Sequence, residues 1–250
     1  MLNLLENLIL YRVDSDSLIM KIAEAVSADI DRDKQRAQCY EAIKELLETA
    51  THYGWNHNLW QCLLTYHLLY DENSYTLSKE RVKDDFDGSI QAFLLHDMEL
   101  FHQLFHYDFS VVEQRLNIDC FGIVCEYQAV KKRKELVDDM TGTKITEVKQ
   151  KLAEAESGKA MLDVVNQFYE VYGCGKFAFH KAFRLQESAD GVEVIPITNM
   201  AKITLNDLIG YEAQKQELIE NTEAFLRGFH ANNVLLYGES GTGKSTSIKG

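Results

Sequence analysis

The residues with the clearest chemical purpose lie near the C-terminus: Gly238-Glu239-Ser240-Gly241-Thr242-Gly243-Lys244-Ser245. Three glycines, then a lysine, then a hydroxyl satisfy the G-x-x-x-x-G-K-[ST] pattern of a polyphosphate-binding loop. A triphosphate needs many donors at close range, and backbone N–H groups encircle it only where no side chain obstructs them. Lys244 is the expected catalytic cation, reaching the β- and γ-phosphates, and the Ser245 hydroxyl is the expected ligand of Mg2+. Thr246 follows at the start of a helix, whose free N–H groups and positive dipole end favour an anion. The expected cofactors are ATP and Mg2+.

Such a loop works only between a strand and a helix. The apolar run Asn232-Asn233-Val234-Leu235-Leu236-Tyr237 suits a buried parallel strand, and "KSTSIK" would open the helix behind the loop. Upstream, Leu218, Ile219, Thr222, Phe225 and Leu226 form a helical stripe, with Gly228 placed as the residue that ends it. Before that helix, "FAFHKAFRL" (residues 177–185) and "VEVIPI" (residues 192–197) alternate as strands do. "ADG" between them predicts a hairpin, with Pro196 on an edge. "TNMAK" then reads as a short linker.

Residues 1–172 read as helical. Tyr40, Ile43, Leu47 and Ala50 fall on one stripe that Gly54 can close. "NHNLWQCLLTYHLLY" is apolar over most of its circumference, as a helix buried on several sides would be. Ile90, Leu94, Met98, Phe101 and Phe105 line another helix; Met161, Val164, Val165, Phe168 and Tyr169 line a further one. The single proline favours long uninterrupted helices. The expected division is an α-helical domain over 1–172, a β-hairpin and linker over 173–202, and the beginning of an α/β P-loop NTPase domain over 203–250.

The pairing of "NDLIGYEAQKQELIENTEAFLRG" with "NNVLLYGESGTGKS" resembles the start of a AAA+ ATPase module. That resemblance implies that Leu208, Ile209 and Gly210 line an adenine pocket. Together with "YGCGKFAFHKAFR", the same segments resemble a bacterial AAA+ family catalogued as domain of unknown function 815, specifically over residues 172–250. The resemblance implies an intact protein that couples Mg·ATP hydrolysis to remodelling of a macromolecular partner, as a homo-oligomer or with a protein partner. No Walker B strand, sensor residue or arginine finger follows, because the sequence stops five residues after the loop. The expectation is therefore a truncated frame that does not hydrolyse ATP. Two alternatives are a helical protein-interaction module with a non-functional nucleotide segment, and another P-loop class, a transporter ATPase or kinase.

Charge narrows the partners. Of the net charge of −13, residues 1–130 carry most, with 10 Lys and Arg against 22 Asp and Glu. An acidic half repels phosphate backbones, which makes nucleic acid an unfavourable partner there. The basic cluster Lys131–Lys134 is soon followed by acids and reads as a solvated helix face. Five cysteines without a C-x-x-C pair read as reduced thiols, Cys120 and Cys125 filling core space. "MLNLLENLIL" reads as an amphipathic first helix, no run is long enough to span a membrane, and the expected compartment is the cytoplasm. His102 and His106 have the spacing of two metal ligands on a helix, but further ligands cannot be named. The acid pairs Asp84-Asp85 and Asp138-Asp139 read as solvated charge, and Trp55 and Trp60 as core or partner contacts.

Overall fold

The computed structural model describes residues 1–81, 89–129, 139–180, 182–188, 191–197 and 203–249. The Lys131–Lys134 cluster, Asp84-Asp85, Asp138, the Ala189-Asp190 part of the hairpin turn and the linker at 198–202 lie outside the described residues. The chain divides into two units, Met1–Thr198 and Asn199–Gly250.

The first unit is a helical assembly. Its elements are α1 (Leu2–Glu6), α2 (Leu18–Ser27), α3 (Arg32–Tyr53), α4 (Leu59–Tyr70), α5 (Ser74–Arg81), α6 (Ser89–Phe105), α7 (Ser110–Leu116) and α8 (Cys120–Cys125). They continue with α9 (Asp139–Ala153), α10 (Gly158–Tyr172) and α11 (Gly175–Phe179). The starts are written in the sequence. Ser17, Asp31, Asn58 and Ser157 each accept a hydrogen bond from a backbone N–H in the first turn of α2, α3, α4 and α10. Gly54 ends α3 in the left-handed region, at φ 69°.

Helix α4 is the hub, touching α6, α8, α9, α10 and α11. It buries Leu59, Trp60, Cys62, Leu63, Leu64 and Leu68, as its nearly all-round apolar sequence requires. Helix α6 buries Leu94, Met98, Phe101, Leu104 and Phe105 and crosses α10. At that crossing a Cβ on Gly158 would stand 2.5 Å from the Glu99 nitrogen, so only glycine permits the approach. The stripe expected on α3 is rotated: Cys39, Ala42, Ile43, Leu46 and Ala50 are buried, while Tyr40 is half exposed.

One buried carboxylate ties the N-terminal segment down. Asp97, fully buried on α6, accepts backbone N–H bonds from Ile9 at 2.9 Å, Leu10 at 2.7 Å and Tyr11 at 3.0 Å. The indoles are treated unequally. Trp60 Nε1 donates to the Leu104 carbonyl at 2.7 Å, whereas Trp55 Nε1 is buried with no acceptor among the described residues.

Two expectations are corrected here. The alternating segment before the hairpin is not one strand: residues 175–179 are α11, and only β1 (Phe183–Ser188) and β2 (Gly191–Pro196) form an antiparallel pair, Phe183 opposite Pro196. The helix-capping geometry at Cys174 and the burial of Ala178 and Phe179 against the core override the period-2 pattern. The second correction concerns fold class. The unit at 199–250 contains a 3-10 turn (Leu205–Asp207), α12 (Glu212–Leu226) and α13 (Lys244–Lys249), and no strand among its described residues. The structure is a predominantly α-helical chain with a small antiparallel hairpin, not the beginning of an α/β P-loop NTPase. No helix among the described residues is long and apolar enough to cross a membrane.

Candidate functional site

The glycine-rich loop is the first place to look, because its residue types demanded a phosphate. Gly238, Gly241 and Gly243 adopt φ of 146°, 83° and 83°, conformations that favour glycine. The Lys244 ammonium folds back over this loop. It donates to the carbonyls of Gly238 at 2.9 Å and Glu239 at 2.6 Å, and to Thr242 Oγ1 at 3.3 Å. Thr242 Oγ1 in turn donates to the Glu239 carbonyl at 2.9 Å. Ser240 and Ser245 lie on the surface side of the loop and Thr246 is half-buried. The lysine thus closes a turn of its own chain.

On the adenine side, Leu208 stands against Gly243; a Cβ on that glycine would lie 2.5 Å from Leu208 Cδ2. Its carbonyl accepts from Lys215 Nζ at 2.9 Å, and Gly210 turns the chain at φ 87°. Ile209 points away into solvent, 95% exposed. The structure therefore brings Leu208 to the loop and leaves Ile209 outside it.

The strand required behind the loop is missing from this arrangement. Residues 231–238 run without secondary structure, with Leu235 and Tyr237 exposed. At one end the side-chain amide of Asn221 brackets the Asn232 backbone, donating to its carbonyl and accepting from its N–H, both at 2.9 Å. No side chain described between residues 203 and 249 is buried. The phosphate cradle of a P-loop is held by a buried parallel sheet, and the pair β1–β2 is antiparallel and lies in the other unit. The reading of a AAA+ ATPase that binds ATP and Mg2+ through Lys244 and Ser245 is corrected accordingly: the motif is present in the sequence without the architecture that makes it a nucleotide site.

Comparison with known proteins adds a family without a chemistry. Residues 178–250 are similar to the family described as "Protein of unknown function (DUF815)". The similarity covers less than a third of the chain, and the description assigns no activity, so it lends no support to the ATPase reading. No curated protein and no solved structure matches the chain.

The helical unit offers a different surface. A cleft of 510 Å3 opens between the start of α2, the C-terminal half of α4 and the start of α11; a second hollow of 430 Å3 adjoins it toward the end of α3. The two lie side by side along one grooved stretch of surface, sharing Leu18, Leu63 and Tyr66 in their linings. Its floor is aromatic. Tyr66 stacks on Tyr70 with centroids 5.0 Å apart and meets Tyr53 at 5.1 Å. Its rim carries Asp14, Glu48, Asp71 and Glu72 against Arg12 and Lys176.

The electrostatics of this groove are distinctive. Burial raises the Asp71 carboxyl above the usual carboxylate range; the Asn73 amide opposes this, and the Asp14 and Glu72 charges add to it. None of the four carboxylates is in an ion pair among the described residues. His67 lies in the same wall, beside the rings of Tyr11 and Phe101, with Nε2 out of solvent and without a hydrogen-bond partner among the described residues. Burial lowers its pKa to about 4, against a smaller opposing pull from Asp14, so the ring is neutral at pH 7.

Sequence reasoning missed this groove because its residues come from four separated segments. The one available signal was the concentration of tyrosines in "LTYHLLYDE", ending in two acids. Other expectations resolve more simply. His102 Nε2 bonds the Ala155 carbonyl at 3.1 Å and His106 Nδ1 the His102 carbonyl at 2.8 Å. No group of three or more metal-ligating side chains exists among the described residues. All five cysteines are free, and Cys120 and Cys125 pack half-buried against the core.

Proposed function

We propose that this chain is a helical protein-interaction module whose docking surface is the groove across α2, α3, α4 and α11. The observation that carries this reading is the adjacency of the two hollows, which share Leu18, Leu63 and Tyr66, on a unit that already buries its own core. An apolar, aromatic floor with a polar rim is the anatomy of a recognition surface. The net charge of −13 favours a protein partner over a nucleic acid. Tyrosine contributes contact area at low entropic cost, which suits it to the centre of such a surface.

The test is position-specific photocrosslinking in the native cell. A benzophenone amino acid in place of Tyr66 is expected to trap one discrete protein species. The same group in place of Tyr40, exposed elsewhere on α3, is expected to trap none. Absence of a product at Tyr66, or the same products from both positions, would overturn the proposal.

A further inference from the structure

The chemistry of the groove specifies its occupant further, on the footing that the groove is the docking surface. We infer that it recognises an arginine-bearing segment of the partner, one guanidinium lying on the Tyr66–Tyr70 stack with its N–H groups toward Asp14, Asp71 and Glu72. Three carboxylates around one cleft, none in an ion pair among the described residues, repel one another, and a cation placed among them relieves that repulsion. Burial is the main cause of the rise of the Asp71 carboxyl, and the neighbouring charges of Asp14 and Glu72 add to it. Arg12 only partly offsets Asp71, and Lys176 sits 5.9 Å from the Phe177 ring rather than on a carboxylate.

The wall adds a second indication. His67 presents a ring that carries no charge at pH 7, so the only cations on the cleft among the described residues are Arg12 and Lys176. Tyr66 and Tyr70, stacked within 19° of parallel, both line the cleft and supply aromatic surface to a flat cation. That selects guanidinium over ammonium, because a planar fork stacks on a ring and pairs with carboxylates at once. A metal cation is the weaker candidate, since no metal-ligating group of three forms among the described residues.

The test uses the full chain and a fluorescein-labelled Gly-Arg-Leu-Arg-Gly peptide, followed by fluorescence anisotropy at low salt. The matched peptides carry citrulline, lysine or glutamate in place of arginine. Replacing arginine by citrulline, which keeps the shape and removes the charge, is expected to weaken binding by about tenfold or more. The pair Asp14→Asn and Glu72→Gln is expected to weaken it about fivefold, and Tyr66→Leu about threefold. The control pair Glu147→Gln and Asp163→Asn removes the same charge from exposed positions outside the groove, and is expected to leave affinity unchanged. Equal losses from the groove and control pairs would overturn the inference, as would equal binding of the citrulline or lysine peptide, or no binding of the arginine peptide. A silent peptide with an intact Tyr66 crosslink would remove the arginine inference alone; loss of the crosslink would remove the docking surface itself.

Discussion

Replacing Asp97 by Asn is the sharpest test of how the helical unit is held together. The carboxylate is fully buried and takes three backbone N–H groups, Ile9 on Oδ1 and Leu10 and Tyr11 on Oδ2, at 2.7–3.0 Å. Asparagine keeps the shape but has one acceptor oxygen. With the oxygen toward Leu10 and Tyr11, the Ile9 N–H meets an amide donor; with the amide flipped, two N–H groups lose their acceptor. The Ile9 N–H is only part-buried, so orphaning it costs toward the lower end of the about 1–3 kcal/mol of a buried group, and the surviving bonds weaken because bonds to a charged acceptor are roughly twice as strong as neutral ones. The total expected for Asp97→Asn is about 2–4 kcal/mol, and Asp97→Ala, which strips all three bonds, is expected to cost more. With a urea slope of about 2–3 kcal/mol per molar, the unfolding midpoint of the Asn variant falls by about 1 M. A fall below about 0.2 M, or an Ala variant no worse than the Asn variant, would refute the assignment of Asp97 as the anchor of residues 9–11.

Other outcomes are fixed by the same structure. His67 has a folded pKa of about 4 against an ordinary 6.5, so the unfolded chain binds the extra proton between those values. Its contribution is intact above pH 6.5 and declines as pH falls toward 4, by up to about 3 kcal/mol. His67→Phe is expected to flatten that part of the stability–pH curve relative to wild type, measured by thermal unfolding from pH 7 to pH 4.5. Trp60→Phe is expected to cost about 1 kcal/mol more than Trp55→Phe, because the first orphans the indole's bond to Leu104 and the second removes a donor that had no acceptor. Urea titrations of the two variants compare them directly. Gly158→Ala pushes a Cβ into the backbone of Glu99 and Met98 and is expected to lower stability by about 1–3 kcal/mol, seen as a drop of several degrees in Tm.

The helical unit was legible in the sequence because local signals and burial agreed. The stripes on α6 and α10 face the core as their periodicity requires, while the caps at Ser17, Asp31, Asn58 and Ser157 emerge with the structure. Tyr40 was misplaced because a 22-residue helix with few apolar positions leaves the burial angle to its neighbours, and α2 selected the adjacent face. The phosphate-loop motif was read correctly as a string and wrongly as a site. A motif of eight residues specifies a turn, whereas binding also needs the sheet behind it, and Val234 and Leu235 join no strand among the described residues. The groove was invisible for the converse reason: Asp14, Tyr53, Tyr66, Glu72 and Lys176 have no common spacing until the helices pack.

The absence of any buried side chain among the described residues from 203 to 248 has a consequence for time as well as for structure. Helix α12, the Asn221 bracket and the Lys244 fold-back are held by short-range hydrogen bonds, with no cooperative core to break. Their amides are therefore expected to exchange with deuterium in seconds, while those of α4 and α6 stay protonated until the whole helical unit opens. One polypeptide would thus keep two clocks.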